Sequence, residues 1–276
     1  MQSIQKENPL PDLVFSKQLK GMLADKVGIV TGASRGIGAA SARAFVEAGA
    51  KVALAARDRH ALEEIANSIN SEHEDTAVAI PTDVSDVDSV NHLITKTVES
   101  FGRLDFAFNN AGGGPMPALL ADLSAEDFDF AMDVNVRGTF LFLKFEIPAM
   151  IKGGAGTIVN MSSTAGLQGV RGIGAYVTAK HGVIGLTRAA ALDYAKQNIR
   201  VNVVAPGPIY TEHLANLQYR EQAAFGVPMG RVGNREEVAN VVAWLCSDLS
   251  SFVTGAMIPI DGGRLSGTWF GPLGGP

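Results

Sequence analysis

Cysteine is almost absent from this chain: Cys246 is the sole example among 276 residues. No intrachain disulfide can form and no cysteine cluster can hold zinc, so a reducing compartment fits and the expected location is the cytoplasm. Charge is sparse as well. Only 18% of residues are Asp, Glu, Lys or Arg, the formal net charge is −5, and no long cluster of Lys and Arg occurs. Affinity for nucleic acid depends on concentrated positive charge, so no nucleic-acid partner is expected. Also missing is an apolar run of the length a signal peptide or membrane span needs; residues 1–26 interleave Lys, Glu, Asp and Pro. No membrane association is expected. The 5 histidines are scattered without ligand-like spacing, and no metal site is expected.

What is abundant is apolar and small. The chain is 46% hydrophobic with 31 glycines, which suits a buried parallel sheet joined by tight turns and excludes disorder for its bulk. Apolar runs at 26–31, 51–56, 77–81, 104–109, 156–162, 199–205 and 256–260 read as strands. Stretches near 39–48, 58–70, 130–150 and 175–195 have helical character. Strands separated by helices run parallel with right-handed crossovers. The expected fold is therefore α/β: a Rossmann-type, doubly wound parallel sheet of about seven strands with helices on both faces, in one domain over 26–263. Residues 1–25 form an extension that docks on the domain or joins a subunit contact, and 264–276 form a Gly/Pro-rich irregular tail.

In such sheets ligands bind beyond the carboxyl ends of the strands. At the first of these ends stands Thr31-Gly32-Ala33-Ser34-Arg35-Gly36-Ile37-Gly38. Glycines there permit a tight turn and let backbone N–H groups approach a pyrophosphate at a helix N-terminus. The spacing departs from G-x-G-x-x-G, and no Lys-Ser/Thr pair follows, which removes the nucleoside-triphosphate loop. Gly32, Ser34, Arg35, Gly36, Ile37 and Gly38 are thus candidate dinucleotide-binding residues.

The second strand's end meets the adenosine ribose, where a carboxylate selects NAD and an arginine accommodates the extra phosphate of NADP. Here Ala56-Arg57-Asp58 follows. A strand ending at Ala56 leaves Arg57 and Arg35 to approach a phosphate, which favours NADP(H). A one-residue shift would aim Asp58 at the ribose, so NAD(H) stays as the alternative. Asp83 and Val84 are placed for the adenine edge, and Asn109-Asn110-Ala111-Gly112 for the pocket floor; both are also ordinary turn chemistry.

Past the fifth strand come Ser162 and Ser163, then Tyr176 and Lys180. Residues four apart share a helix face, so the ammonium stays near the phenol. A phenol with an unperturbed pKa of about 10 is a poor acid–base group at neutral pH, and a nearby positive charge lowers that value. Lys180 is expected to tune Tyr176 toward general acid–base work. By itself the spacing is weak, since such pairs commonly lie on a surface.

Taken together these motifs resemble the short-chain dehydrogenase/reductase family over about 26–263. The likeness rests on the glycine turn, Asn109-Asn110-Ala111-Gly112, Asn135 within Val134-Asn135-Val136-Arg137, Ser163, Tyr176 and Lys180, Pro206-Gly207 and Asp261-Gly262-Gly263. The resemblance implies hydride exchange between a nicotinamide cofactor and a carbonyl or alcohol. It makes Tyr176 the general acid or base, with Lys180 also on the nicotinamide ribose, Ser163 orienting the substrate oxygen and Asn135 supporting a proton relay through water. Ser163 is preferred to Ser162 because the family's serine stands thirteen residues before its tyrosine. Pro206, Gly207, Ile209 and Thr211 become a cofactor-side loop, and the strand order becomes 3-2-1-4-5-6-7.

His213 follows that loop as a candidate substrate contact, within a substrate segment of about 207–233. Its Tyr210, Leu214, Leu217, Tyr219, Phe225 and Met229 suit a modest, partly apolar ketone or secondary alcohol, and are equally ordinary packing residues. A homotetramer or homodimer is implied, with the helices near 130–150 and 175–195 as interface. A catalytically silent, cofactor-binding sensor is the alternative; intact Asn135, Ser163, Tyr176 and Lys180 speak against it. Epimerases and enoyl reductases of related fold differ in chain length and in a wider Tyr-to-Lys gap.

Overall fold

Val27–Thr31 (β1) has every residue buried, without polar alternation, the pattern of a strand covered on both faces. In a computed structural model that describes residues 20–211 and 217–268, apart from the side chains of 217–220, this strand lies in the interior of a seven-stranded parallel sheet. The first half runs β1, α1 (Gly36–Glu47), β2 (Lys51–Ala56), α2 (Arg59–Glu72), β3 (Ala77–Pro81), α3 (Val87–Phe101). The second runs β4 (Phe106–Asn109), α4 (Ala125–Met132), α5 (Gly138–Lys152), β5 (Gly156–Met161), α6 (Gly174–Tyr194) and β6 (Ile199–Pro206). A small excursion follows, β7 (Ile209–Tyr210), α7 (Leu217–Phe225) and β8 (Gly233–Asn234), before α8 (Arg235–Cys246) and β9 (Met257–Ile260).

The sheet order β3-β2-β1-β4-β5-β6-β9 is the expected one, with β9 as the seventh strand. Chain direction across the sheet reverses between β1 and β4, and that crevice is where such folds take ligands. Two cores cover the two faces. One packs Phe45 of α1, Leu62 of α2 and Val242 of α8 against β1, β2 and β4. The other packs Leu93 of α3, Phe142 of α5 and Ala191 of α6 on the opposite face. Gly28 is the fitting piece at the centre, since a Cβ there would overlap the Phe106 ring, which stacks edge-on to Phe45 at 5.1 Å.

One element differs from the sequence expectation. The helix expected over 130–150 is two, α4 and α5, joined through a π-helical turn over Asp133–Arg137. No proline or glycine lies within that turn, and such local widenings gather at functional sites. No helix among the described residues is long and apolar enough to cross a membrane.

Candidate active site

Gly32 (φ +64°) and Gly36 (φ +57°) take the left-handed conformation that folds the chain between β1 and α1. Gly38 admits the carbonyl of Gly32 where any Cβ would collide with it. The start of α1 has no side-chain cap and no acidic residue in its first turn. Its N–H groups thus present an uncancelled positive dipole end to an anion. The end of β4 braces this turn: Asn110 Nδ2 donates to the Thr31 carbonyl at 2.9 Å, and Ala111 N donates to Thr31 Oγ1 at 2.9 Å.

Above the crevice opens a cleft of about 800 Å³. It brings together Gly32, Ser34, Arg35, Gly36 and Ile37 of the turn, Arg57 and Asp58, Asp83 and Val84, and Asn110, Ala111 and Gly112. The same cleft reaches Ser163, Tyr176, Lys180, Pro206, Gly207, Ile209 and Thr211. These residues fit a dinucleotide: an uncapped helix start for its pyrophosphate, glycines where a backbone must come close, and a buried cation beyond. Gly112 belongs to that cradle, for a Cβ there would stand 2.6 Å from Asn135 Oδ1 and 2.9 Å from Lys180 Nζ.

Asn109 and Asn135 do not line the cleft. Asn109 turns into the protein, donating to Glu146 and Asn160. Asn135 sits in the π-helical turn, donating to the carbonyls of Gly113 (2.6 Å) and Ala131 (2.8 Å) while its Oδ1 accepts from Gly113 N. It is buried beneath the cleft and holds Gly113 by both ends of its amide. Among the described residues no group of three or more His, Cys, Asp or Glu is placed to hold a metal ion.

Tyr176 and Lys180 stand in the first two turns of α6. Lys180 is 2% exposed and donates to the Met161 carbonyl at 2.9 Å. Burial brings its pKa down to about 8, since a cation is disfavoured away from water. The ammonium lies 5.4 Å from the centroid of the Tyr176 ring. The expectation that this charge lowers the phenol's pKa is corrected here: burial raises it, and the opposing influence is a hydrogen bond with Ser163. Desolvation therefore outweighs that hydrogen bond.

Ser162 and Ser163 separate cleanly. Ser162 Oγ donates to the Lys180 carbonyl at 2.9 Å, pinning α6, whereas Ser163 lines the cleft with the phenol, lowers its pKa and caps the short turn Thr164–Gly166. Sequence reasoning missed the first of these roles. Its only signal was Ser162 standing one residue off the family's spacing.

Across the cleft, β2 does end at Ala56, and Asp58 caps α2 by accepting from Ala61 N at 3.1 Å. Asp83 accepts from both Ser85 Oγ (2.7 Å) and Ser85 N (2.9 Å), which holds its carboxyl below the usual range. Arg137 donates to the Ser85 carbonyl from the end of the π-helical turn. On the substrate side, β7 and β8 pair in parallel, Ile209 with Gly233, and frame the excursion between them. Tyr210, Phe225 and Met229 are exposed there. His213 and Leu214 lie outside the described residues, as do the side chains of Leu217 and Tyr219.

A glycine turn beneath an uncapped helix, a cleft at the switch point and a half-buried Tyr beside a buried Lys and a serine define a dinucleotide-dependent oxidoreductase. Residues 32–264 match a family model described as enoyl-(acyl carrier protein) reductase. The A-factor type gamma-butyrolactone 1'-reductase (1S-forming) of Streptomyces virginiae is 40% identical over 252 residues, spanning 88% of this chain and 97% of that protein. Cyclohexanol dehydrogenase of Acinetobacter sp. (strain SE19) is 38% identical over 252 residues, spanning 91% of this chain and 100% of that protein. The crystal structure of levodione reductase superposes with a TM-score of 0.84 at 35% identity, covering 89% of this chain and 100% of that one. The chain belongs to the short-chain dehydrogenase/reductase family, and it is an oxidoreductase acting on CH–OH and C=O groups. All three compared proteins are named for oxidation or reduction, and nothing favours a silent sensor.

Proposed function

We propose that the protein interconverts a compact, largely uncharged secondary alcohol and its ketone, using NADP(H) in preference to NAD(H). The observation that carries this reading is the convergence of Ser163, Tyr176 and buried Lys180 in the same cleft as the glycine turn. The nicotinamide, when bound, supplies or accepts the hydride. Tyr176 Oη donates a proton to the substrate oxygen in reduction and takes it back in oxidation. Ser163 Oγ orients that oxygen, and Lys180 Nζ, already anchored on Met161, keeps N–H groups for a ribose hydroxyl. A phenol whose pKa burial raises stays protonated at neutral pH, which suits it to the proton-donating direction. Gly32, Ser34, Arg35, Gly36, Ile37, Pro206, Gly207, Ile209 and Thr211 take the remainder of the cofactor, with Asp83 and Val84 at the adenine.

The preference for NADP(H) rests on Arg35 and Arg57, with Asp58 occupied elsewhere. Its carboxylate is engaged as the cap of α2, leaving Arg35 and Arg57 as the side chains that meet the ribose end of the cleft. For the substrate, compactness follows two relatives, one named for cyclohexanol and one for the reduction of a gamma-butyrolactone. The exposed Tyr210, Phe225 and Met229 supply an apolar approach. Phe140 of α5 and Leu192 of α6 are exposed apolar side chains on the helices expected to form a dimer or tetramer, and the cytoplasm remains the compartment that suits a lone buried thiol.

A panel of cyclic ketones, β-keto thioesters, sugars and steroids, followed by NADPH and NADH absorbance, tests the reading. Oxidation of NADPH by a cyclic ketone is expected, with at least a tenfold preference over NADH. A tenfold preference for NADH overturns the cofactor assignment, and turnover confined to sugars or thioesters overturns the substrate class.

A further inference from the structure

Behind the cleft lies a polar cluster that the reaction chemistry does not use. Glu146 of α5 is fully buried, and its Oε2 accepts from Asn109 Nδ2 at 3.1 Å. Asn109 ends β4 and is the register partner of Asn160 in β5. Its Nδ2 is shared with Asn160 Oδ1 at 3.0 Å. Asn160 Nδ2 in turn donates to Thr187 Oγ1 at 2.9 Å, and Thr187 donates to the Val183 carbonyl at 2.8 Å. All four side chains are buried in an otherwise apolar interior, where an unmet polar atom is costly. Thr187 lies two turns beyond Lys180 on α6. Asn109 immediately precedes Asn110, which braces the glycine turn through the Thr31 carbonyl. The cluster therefore ties the helix that carries Tyr176 and Lys180 to the strand end that holds the cofactor turn.

We propose that Glu146 is a positioning residue for the reaction: as a neutral acid it closes this buried chain and sets the cofactor turn and the Tyr176–Lys180 helix in register. Neutrality follows from geometry. Glu146 has no ion pair among the described residues, and two oxygens of the cluster, Glu146 Oε1 and Asn109 Oδ1, have no donor. A bare carboxylate with one hydrogen bond is strongly disfavoured there. A proton on Glu146 converts one orphaned acceptor into a donor in a cluster that still holds an acceptor without one. Burial acts in the same sense, raising this carboxyl to about 8.

The proposal rests on the oxidoreductase reading only for its kinetic arm. Glu146→Gln keeps the shape and the donor, whereas Glu146→Leu removes both polar ends. NADPH affinity by fluorescence titration, and kcat and KM on a ketone the wild type reduces, are measured below each variant's melting temperature. Glu146→Leu is expected to weaken NADPH binding at least fivefold and lower kcat at least tenfold, with substrate KM within twofold; Glu146→Gln is expected to stay within twofold in all three. A folded Glu146→Leu with unchanged binding and kcat reduces Glu146 to a stabilising group and overturns the proposal. So does Glu146→Gln failing as badly as Glu146→Leu, which would mean that the ionised form is the one required. If Glu146→Leu does not fold, Thr187→Val breaks the chain at its other end, and wild-type NADPH affinity in that variant overturns the proposal. The binding arm needs no turnover, so a failure of the reaction reading is told apart from a failure of this one.

Discussion

At Gly112 the backbone passes so near Asn135 and Lys180 that a Cβ would stand 2.6 Å from an amide oxygen and 2.9 Å from the ammonium. Gly112→Ala must push Lys180 off its anchor or lift the chain into the cofactor cleft. We expect it to weaken NADPH binding at least tenfold with little change in melting temperature, because Gly112 itself is exposed; near-normal affinity by titration would refute the cradle. Cys246 presents the opposite case. It is buried, and burial pushes its thiol up to about 12, so little thiolate exists at neutral pH. Thiol reagents should leave the native protein unmodified and label it at one site only after denaturation, as read by mass spectrometry. Tyr176, Lys180 and Ser163 were legible in the chain as candidates, because they combine with the glycine turn at family spacing, and the fold brings them to one cleft. Their ionisation was not. The i,i+4 geometry that pairs Tyr176 with Lys180 says nothing about how far each is withdrawn from water, and it is desolvation that raises one pKa and lowers the other.

Among the elements, strands were the most readable, since a strand covered on both faces must be an unbroken apolar run, as at β1, β2 and β5. The π-helical turn between α4 and α5 left no mark, because no proline or glycine within it announces the break. Glu146 carried a faint signal: it lies four residues from both Phe142 and Met150, on the buried face of α5, where an acid is out of place. Its titration gives a prediction at this scale. The folded-state value is raised, to about 8, above the ordinary 4.5, so its stabilising contribution is complete below about 4.5 and is lost as pH rises through about 8. That linkage is on the order of 5 kcal/mol across the window. Melting curves should show wild type losing stability relative to Glu146→Gln between pH 5 and about 8.5; parallel curves would mean that Glu146 is ionised in the folded protein. At the start of α2, Asp58→Ala should cost about 1 kcal/mol by loss of the cap without moving the cofactor preference. A switch toward or away from NADH in that variant would place Asp58 at the ribose instead.

For the whole molecule, the doubly wound parallel sheet was readable from the alternation of strands and helices and its order from the family resemblance, whereas the link between its two halves was not. Asn110 reaches from β4 to the carbonyl end of β1, and the Asn109–Asn160–Thr187 chain reaches from β4 to α6. These bonds join residues far apart in sequence, and only the folded sheet brings them into line. They join the glycine turn of the first half and the Tyr176–Lys180 helix of the second into one unit. The central claim is that Tyr176 moves the proton within that unit while the cradle binds independently. Tyr176→Phe, compared with wild type on the best ketone of the panel with NADPH, tests it most directly. Turnover is expected to fall by about 10²–10⁴-fold with NADPH affinity unchanged within twofold. A variant that still reduces the ketone at near the wild-type rate would contradict it.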